Sequence, residues 1–456
     1  MFSKILNRNN LFFVFVFHVL LGLVSTVSPL ILVVYFYLIL FSSIPFVLKK
    51  TIIDDKLSFL LVYLVSFEML ARMANATPFI PYEIGKYLTM ILLVMGILKG
   101  HNKGPIGFFL ILLVLPATIY DLSGQVDFKG IVFNLFGTIN IGLAIWYFSK
   151  QKFTTKGLWT LIYLMLLPLI ATLAFVFIKT PSFDEIEFIL GANFETSGNF
   201  GSNQVSTAFG LAILLTAYLW LMDFSITGKR SLDLVIFLLF AFQGVLSFSR
   251  GGMIGGVLSI VIVVFYLSKT SKASPSYAKL KLAKRYILPT LILLSIVFFV
   301  ANKITNNQLL LRYQGETAGT LKGTKDKDIN TISSGRSDIA LGDFALYDEY
   351  GFYGVGAGAS RYLRKTHNGT LAHVEWSRLI AEHGILGILF IIVVVINVIQ
   401  QIKKKQDNLI KGILIAFLFL GWYTTFHNAS RTYLTPMLIG VSLIYVINDK
   451  STLPRK

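Results

Sequence analysis

No cysteine occurs among the 456 residues. That excludes disulfides, thiolate nucleophiles and Cys-ligated metals, and it leaves the compartment open. Charge is also scarce: Asp, Glu, Lys and Arg make up 14% of the chain, against about 25% in ordinary soluble domains. Together with the shortage of long polar stretches, this excludes a string of two or three soluble domains. What fills the chain is apolar. Hydrophobic residues are 55% of it, the mean hydropathy is +0.71, and apolar runs long enough to span a bilayer as helix recur from end to end.

Fourteen apolar segments can be drawn, at roughly 11–28, 30–48, 57–74, 84–98, 105–120, 130–148, 157–178, 204–222, 231–248, 252–268, 286–301, 384–400, 410–426 and 432–447. The expectation is an all-α polytopic membrane protein with about 12–14 transmembrane helices. The first segment has a basic flank in Lys4 and Arg8. A second follows almost at once, with no clear small-x-small cleavage pattern between them, so the first reads as a span rather than a cleaved signal peptide. The formal charge of +18 invites a nucleic-acid partner. Topology explains it better. With the N-terminus inside and the spans alternating, Lys49, Lys50 and Lys56, the basic residues from Lys269 to Arg285, and Lys403 to Lys405 all fall in inside loops, and the outer side is close to neutral. Excess Lys and Arg mark cytoplasmic loops. Both termini are therefore expected in the cytoplasm, and no nucleic acid is implied.

The same alternation puts three polar features on the outer face. One is an acidic loop with Asp184, Glu185, Glu187 and Glu195. Another is the tight turn Ser247-Phe248-Ser249-Arg250-Gly251-Gly252. The third, Asn302 to Glu382, is too long for a simple connector. The chain thus divides into spans one to eleven (1–301), a long outer loop with short helices (302–382), and three further spans with a tail (383–456). Within the loop, Gln314 to Thr331 is expected to be mobile, Ser337 to Tyr350 a surface helix, and Val374 to Ala381 a helix running into the twelfth segment. Gly354-Val355-Gly356-Ala357-Gly358 has neither the preceding strand nor the Lys-Ser/Thr of a phosphate-binding P-loop, and reads as a tight, backbone-exposing turn.

Arg250 heads the residues suited to chemistry. A guanidinium at the membrane edge is costly unless paired or solvated, and its planar fork suits a diphosphate. The bland alternative is an arginine snorkelling beside a small-residue helix contact. Arg336 would ordinarily be a solvated loop charge. His373, Glu375 and Arg378 lie close together, and Glu375 and Arg378 are i, i+3 neighbours able to pair. A histidine beside a cleft is a candidate general base, although most single histidines are packing or capping residues. Glu375 is the rival base, and His367, in the loop, competes with His373. Arg361 and Arg431 are secondary candidates, and His427 pairs with Arg431 on the same face. No metal-ligand spacing is present.

The set Ser249-Arg250-Gly251-Gly252, Ser334-Gly335-Arg336, Gly354-x-Gly-x-Gly and His373-x-Glu-Trp-Ser-Arg-Leu-Ile-Ala-Glu-His-Gly-Ile-Leu-Gly resembles the O-antigen ligase and O-antigen polymerase superfamily over roughly Phe200 to Val395. The resemblance implies a GT-C-like, lipid-linked glycosyltransferase architecture, with the long loop on the periplasmic side of a bacterial inner membrane. It implies a donor glycan on undecaprenyl diphosphate, an acceptor that is either the lipid A core or another lipid-linked glycan, and no metal or other cofactor. By motif, Arg250 and Arg336 would hold the diphosphate, with Arg378 beside them, and His373 would act on the acceptor hydroxyl. A different class of function, a flippase of lipid-linked oligosaccharide, would share the spans but place charges along an internal pathway.

Overall fold

Backbone polar groups have no partner in lipid, so a spanning segment must bond to itself, and a helix does this. The computed structural model describes residues 8–447 apart from 50, 82, 102–104, 275 and 431. Each apolar segment coincides with a helix: α1 Arg8–Ser25, α2 Pro29–Leu48, α3 Lys56–Met73, α4 Ile84–Gly96, α5 Pro105–Val114, α6 Phe128–Phe148, α7 Thr155–Lys179, α8 Ser202–Leu221, α9 Arg230–Leu246, α10 Arg250–Ser268 and α11 Tyr277–Ile304. Short helices α12 Gln308–Tyr313, α13 Ala318–Leu321, α14 Ile329–Ser333, α15 Arg336–Tyr350 and α16 Ser360–Leu363 occupy the excursion. The chain then re-enters the bundle as α17 Glu375–Lys403, α18 Asn408–His427 and α19 Leu434–Val441. Among the described residues, seven helices (α6, α7, α8, α10, α11, α17 and α18) are long and apolar enough to cross a membrane. The fold is an all-α polytopic membrane protein.

Side-chain caps fix several helix starts. Asp127 accepts from the Gly130 N–H (2.8 Å), Thr154 from Gly157 (2.9 Å) and Asp407 from Leu409 (2.9 Å). The last apolar segment departs from a single span. It is an eight-residue helix, α19, followed by a turn and a strand, β2 Tyr445–Ile447, paired in parallel with β1 Lys152–Thr154. The β-branched and aromatic run Ile444-Tyr445-Val446-Ile447 favours extended backbone, and a partner edge lies beside it, where the Tyr445 N–H donates to Gln151 O (3.0 Å).

Position in the bundle follows from which faces are apolar. The central helix α7 is hydrophobic all round and almost wholly buried. At the other extreme, α11 turns Leu288, Leu291, Ile292 and Phe299 outward, as a lipid-facing helix does. Glycine sets the closest contact. On one face of α10, a Cβ at Gly252 would lie 2.2 Å from the Ser206 carbonyl carbon, and one at Gly256 would lie 2.4 Å from Gly210 O on α8. On the other face, Gly251 and Gly255 abut His427 and Tyr423 of α18. The paired glycines let α10 fit between α8 and α18, which brings Arg250, its first residue, close to both.

The expected surface helix is α15, but one of its faces is covered. Ile339, Asp343 and Leu346 are buried against α17 and the α16 region. The glycine loop also departs from expectation, since it is not exposed. Gly354 to Ser360 are all buried. Gly354, Gly356 and Gly358 adopt φ of +75°, +98° and +87°, which glycine reaches without a Cβ penalty. The Val355 and Gly356 N–H groups donate to Ala381 O (2.9 Å) and Glu382 O (3.1 Å), and the Ala357 N–H donates to Ala117 O (2.8 Å). The loop therefore terminates the first part of α17. There α17 kinks at Gly384 (φ +57°, ψ −133°), and the Ile385 N–H turns to Phe352 O (3.0 Å).

Candidate active site

The connection from α9 to α10 is three residues long and turns on Phe248, which is buried at φ +57°. Its polar groups are all engaged. Ser247 O accepts from the Asn193 N–H (3.1 Å), and the Ser249 hydroxyl donates to Asn203 Oδ1 (2.7 Å) and accepts from Ser206 Oγ (2.9 Å). Arg250 is thus launched from a fixed base. Its Nη1 donates to Arg312 O (3.0 Å) and its Nη2 to Ile332 O (2.6 Å). Ser334 and Gly335, at φ +58° and +82°, turn α14 directly into α15, and Arg336 follows as the first residue of α15. Its Nη1 donates to Ser333 O (2.9 Å), the carbonyl next to the one that Arg250 uses. Arg250 and Arg336 are therefore neighbours, although more than eighty residues separate them in sequence.

A third guanidinium joins them. Arg312, in α12, reaches Phe248 O, Leu190 O and Ser334 Oγ, each at 3.4 Å. Burial, then the charges of Arg250 and Arg336, lower its pKa to about 10, which leaves it cationic at neutral pH. Among the described residues, neither Arg250 nor Arg312 has a carboxylate within ion-pair distance. Three like charges held together by backbone carbonyls form a cationic cluster suited to a polyanion. The acidic-loop region (Leu190, Asn193), the Arg250 turn and the excursion meet at this one end of the bundle.

His373 lies just before α17, which begins at Glu375 with Val374 as its N-cap. The sequence draws that helix from Val374, one residue after His373. The extended backbone of Val374 (φ −107°, ψ 111°) makes Glu375 its first residue. His373 is half-buried, and its carbonyl accepts from the Ala429 N–H (3.1 Å) in the turn after α18. His427 ends α18, with its ring against Thr207 Oγ1 (3.2 Å) and Tyr423 O (3.2 Å), within electrostatic reach of Arg336. The turn at 427–430 thus links the arginine cluster to the His373 segment.

Glu375 and Arg378 pair, as their spacing suggested, but inside the protein. Arg378 donates to Glu375 Oε1 (2.5 Å), Glu382 Oε2 (2.8 Å), Asn134 Oδ1 (3.1 Å) and Asn134 O (3.0 Å). Glu375 also accepts from the Thr138 hydroxyl (3.2 Å) and the Ser430 N–H (3.1 Å). This network joins α17 to α6 and to the 427–430 turn. Beside it is a small cavity of about 40 Å³ lined by Lys86, Asn134, Ala372, Glu375, Arg378 and Ser430.

His367 is in a loop at φ +56°, with Nε2 3.9 Å from Asp338 Oδ2 and its ring near Gly335. Arg361 stacks on Tyr362, 4.3 Å from the ring centre. Arg431 lies outside the described residues. Among the described residues, no three His, Asp or Glu side chains come together as a metal-ligand group. Sequence reasoning missed Arg312, which ends a Leu309-Leu310-Leu311 run. An arginine closing an apolar run near a membrane was the available signal. It also missed Asn134 and Asn203, polar residues near span ends.

Residues 235–392 match the O-antigen ligase family. No curated protein matches the chain. The ligase-family segment carries Arg250, Arg312, Arg336, His367, His373, Glu375 and Arg378, and it lies within the stretch that the motifs single out. It supports a glycosyltransferase of the ligase or polymerase type. The groups that fix the site from outside the family segment, Asn134, Asn203, His427 and Ser430, come from α6, α8 and the end of α18.

Proposed function

We propose that the chain is a glycosyltransferase acting at the periplasmic face of a bacterial inner membrane, with both termini cytoplasmic. It moves a glycan from undecaprenyl diphosphate to a hydroxyl of the lipid A core or of another lipid-linked glycan. The observation that carries the reading is the cluster of Arg250, Arg312 and Arg336 at one end of the bundle, joined by a single turn to His373.

In the reaction, the acceptor oxygen bonds to the anomeric carbon as the bond from that carbon to the diphosphate oxygen breaks. The diphosphate leaves with the electron pair, and the acceptor proton passes to a base. Arg250, Arg312 and Arg336 stabilise the charge developing on the leaving diphosphate. Removing one such preorganised donor typically costs about 10²–10³ in rate. His373 takes the proton, since an imidazole has its ordinary pKa near neutrality. Glu375 is less suited, because both of its oxygens already accept hydrogen bonds within the protein. Arg378 holds the start of α17 and so positions His373. Cations gathered at one mouth, rather than strung through the spans, favour transfer over translocation.

Reconstitution with a defined lipid-linked oligosaccharide and a candidate acceptor tests the proposal. Wild-type protein should yield transferred glycan, and Arg250→Ala and His373→Ala should each abolish transfer while remaining inserted and monodisperse. Wild-type product levels from His373→Ala would remove its role as base, and translocation without transfer would replace the enzyme by a flippase. The lipopolysaccharide ladder of a deletion strain separates the two enzyme types. Loss of all attached polymer indicates a ligase, and core plus a single repeat indicates a polymerase.

A further inference from the structure

The far end of the bundle holds a second polar feature. Helix α17 begins beside the candidate active site, and its last turns line a cavity of about 250 Å³ at the opposite end. The start of α5 and the loop after α6 complete the wall. Lys150 and Lys404 supply two cations, Asn397, Gln400 and Gln401 supply amides, and among the described residues no Asp or Glu lines the cavity. Lys404 Nζ is held by Leu443 O (2.9 Å). Gln401 is 3% exposed, and its Oε1, an acceptor, has no hydrogen-bond partner among the described residues. A buried acceptor without a donor is costly, so the site is complete only when something donates to it. Outside the cavity, Phe109 on α5 and Ile396 and Ile399 on α17 are exposed apolar residues.

A ligand here meets positive charge, an acceptor that wants a hydroxyl, and an apolar wall that continues along the membrane. We infer that the cavity seats the headgroup of an anionic phospholipid, in the leaflet opposite the arginine cluster. The phosphate lies between Lys150 and Lys404, a headgroup hydroxyl donates to Gln401 Oε1, and the acyl chains run along Phe109, Ile396 and Ile399. Basic pockets between helices at a membrane face bind anionic lipid in this manner. A hydroxylated headgroup such as phosphatidylglycerol fits better than a choline headgroup, which has no hydroxyl to donate and adds a positive charge. The inference does not depend on the reaction at the other end.

The full-length protein in detergent micelles is titrated with phosphatidylglycerol, phosphatidylcholine or inorganic phosphate, and bound lipid is read by native mass spectrometry. Phosphatidylglycerol should bind, with phosphatidylcholine roughly fivefold weaker or more, given about 1 kcal/mol per basic residue near an anionic group. Lys150 is exposed, so Lys150→Glu changes charge without disturbing packing, and it should weaken phosphatidylglycerol by more than fivefold. Lys150→Gln with Lys404→Gln should do the same, whereas Lys322→Gln, in the excursion, should leave binding unchanged. Equal affinity for the two lipids would overturn the proposal, as would wild-type binding by Lys150→Glu. Displacement of phosphatidylglycerol by a comparable concentration of inorganic phosphate would also overturn it, making the cavity a site for free anions.

Discussion

Arg378→Met removes the one cation that two buried carboxylates share. In the wild type its guanidinium donates to Glu375 at 2.5 Å and to Glu382 at 2.8 Å. After substitution, Glu375 keeps the Thr138 hydroxyl and the Ser430 N–H, and Glu382 keeps the Ser360 hydroxyl (2.9 Å). Glu375 loses its paired cation, and Glu382 is left with Arg364 at longer electrostatic range. Breaking a buried pair by deleting one partner costs about 3–5 kcal/mol. Protonating a stranded carboxylate at pH 7 caps each loss at about 4 kcal/mol, from a reference pKa near 4.3 and 1.36 kcal/mol per unit. Two such losses, partly shared, put the total at about 4–7 kcal/mol, a large part of the usual stability of a folded protein. Equilibrium unfolding in mixed micelles measures it. Adding Glu375→Gln and Glu382→Gln should restore most of the loss, because a neutral buried set needs no countercharge. Wild-type stability in Arg378→Met, with glycan transfer alone abolished, would refute the reasoning and put Arg378 in contact with substrate.

Other outcomes follow from the same geometry. Gly384→Ala puts a Cβ 2.2 Å from Phe352 O, at a φ of +57°; it should destabilise by about 3 kcal/mol or more and shift the thermal midpoint of the purified protein downward. Burial pushes Asp343 up to about 6, above its unfolded value near 3.9. The folded state therefore binds more protons between those values. The stability this group contributes is fully present below about pH 4 and is lost as pH rises through 6, by about 3 kcal/mol for a shift of that size. Asp343→Asn should flatten that part of the stability profile between pH 4 and 7, and an unchanged profile would assign the titration elsewhere. Arg312→Ala should reduce transfer by about 10²-fold, whereas Arg312→Lys should retain part of it, since the charge remains and the fork is lost; equal transfer by wild type and Arg312→Ala would remove Arg312 from the donor site.

The candidate site was partly legible for a physical reason. Arginine near a membrane is costly, so Arg250 stood out against an apolar background, and the i, i+3 spacing of Glu375 and Arg378 forecast their pairing. Their burial was not legible, because it depends on Asn134 of α6, more than two hundred residues away. The same holds for the glycine loop, which looked like an open turn. In the folded chain Val355 and Gly356 give their amides to Ala381 O and Glu382 O instead.

By itself the sequence determined that the chain is a helical membrane protein and where its helices lie. Bilayer thickness sets the length of an apolar run, and lipid offers backbone groups no partner outside the helix. It also marked the excursion between α11 and α17 as the main polar region. Only the tertiary structure decided which of its charges meet. Close approach of α10 to α8 and α18, allowed by glycine on two faces of one helix, carries Arg250 to Arg312 and Arg336. Packing of α17 on α6 buries Arg378 with its helical neighbours Glu375 and Glu382 and adds Asn134 to them. The arginine cluster and the Asn134 contact join residues far apart in the chain, and no local spacing encodes them.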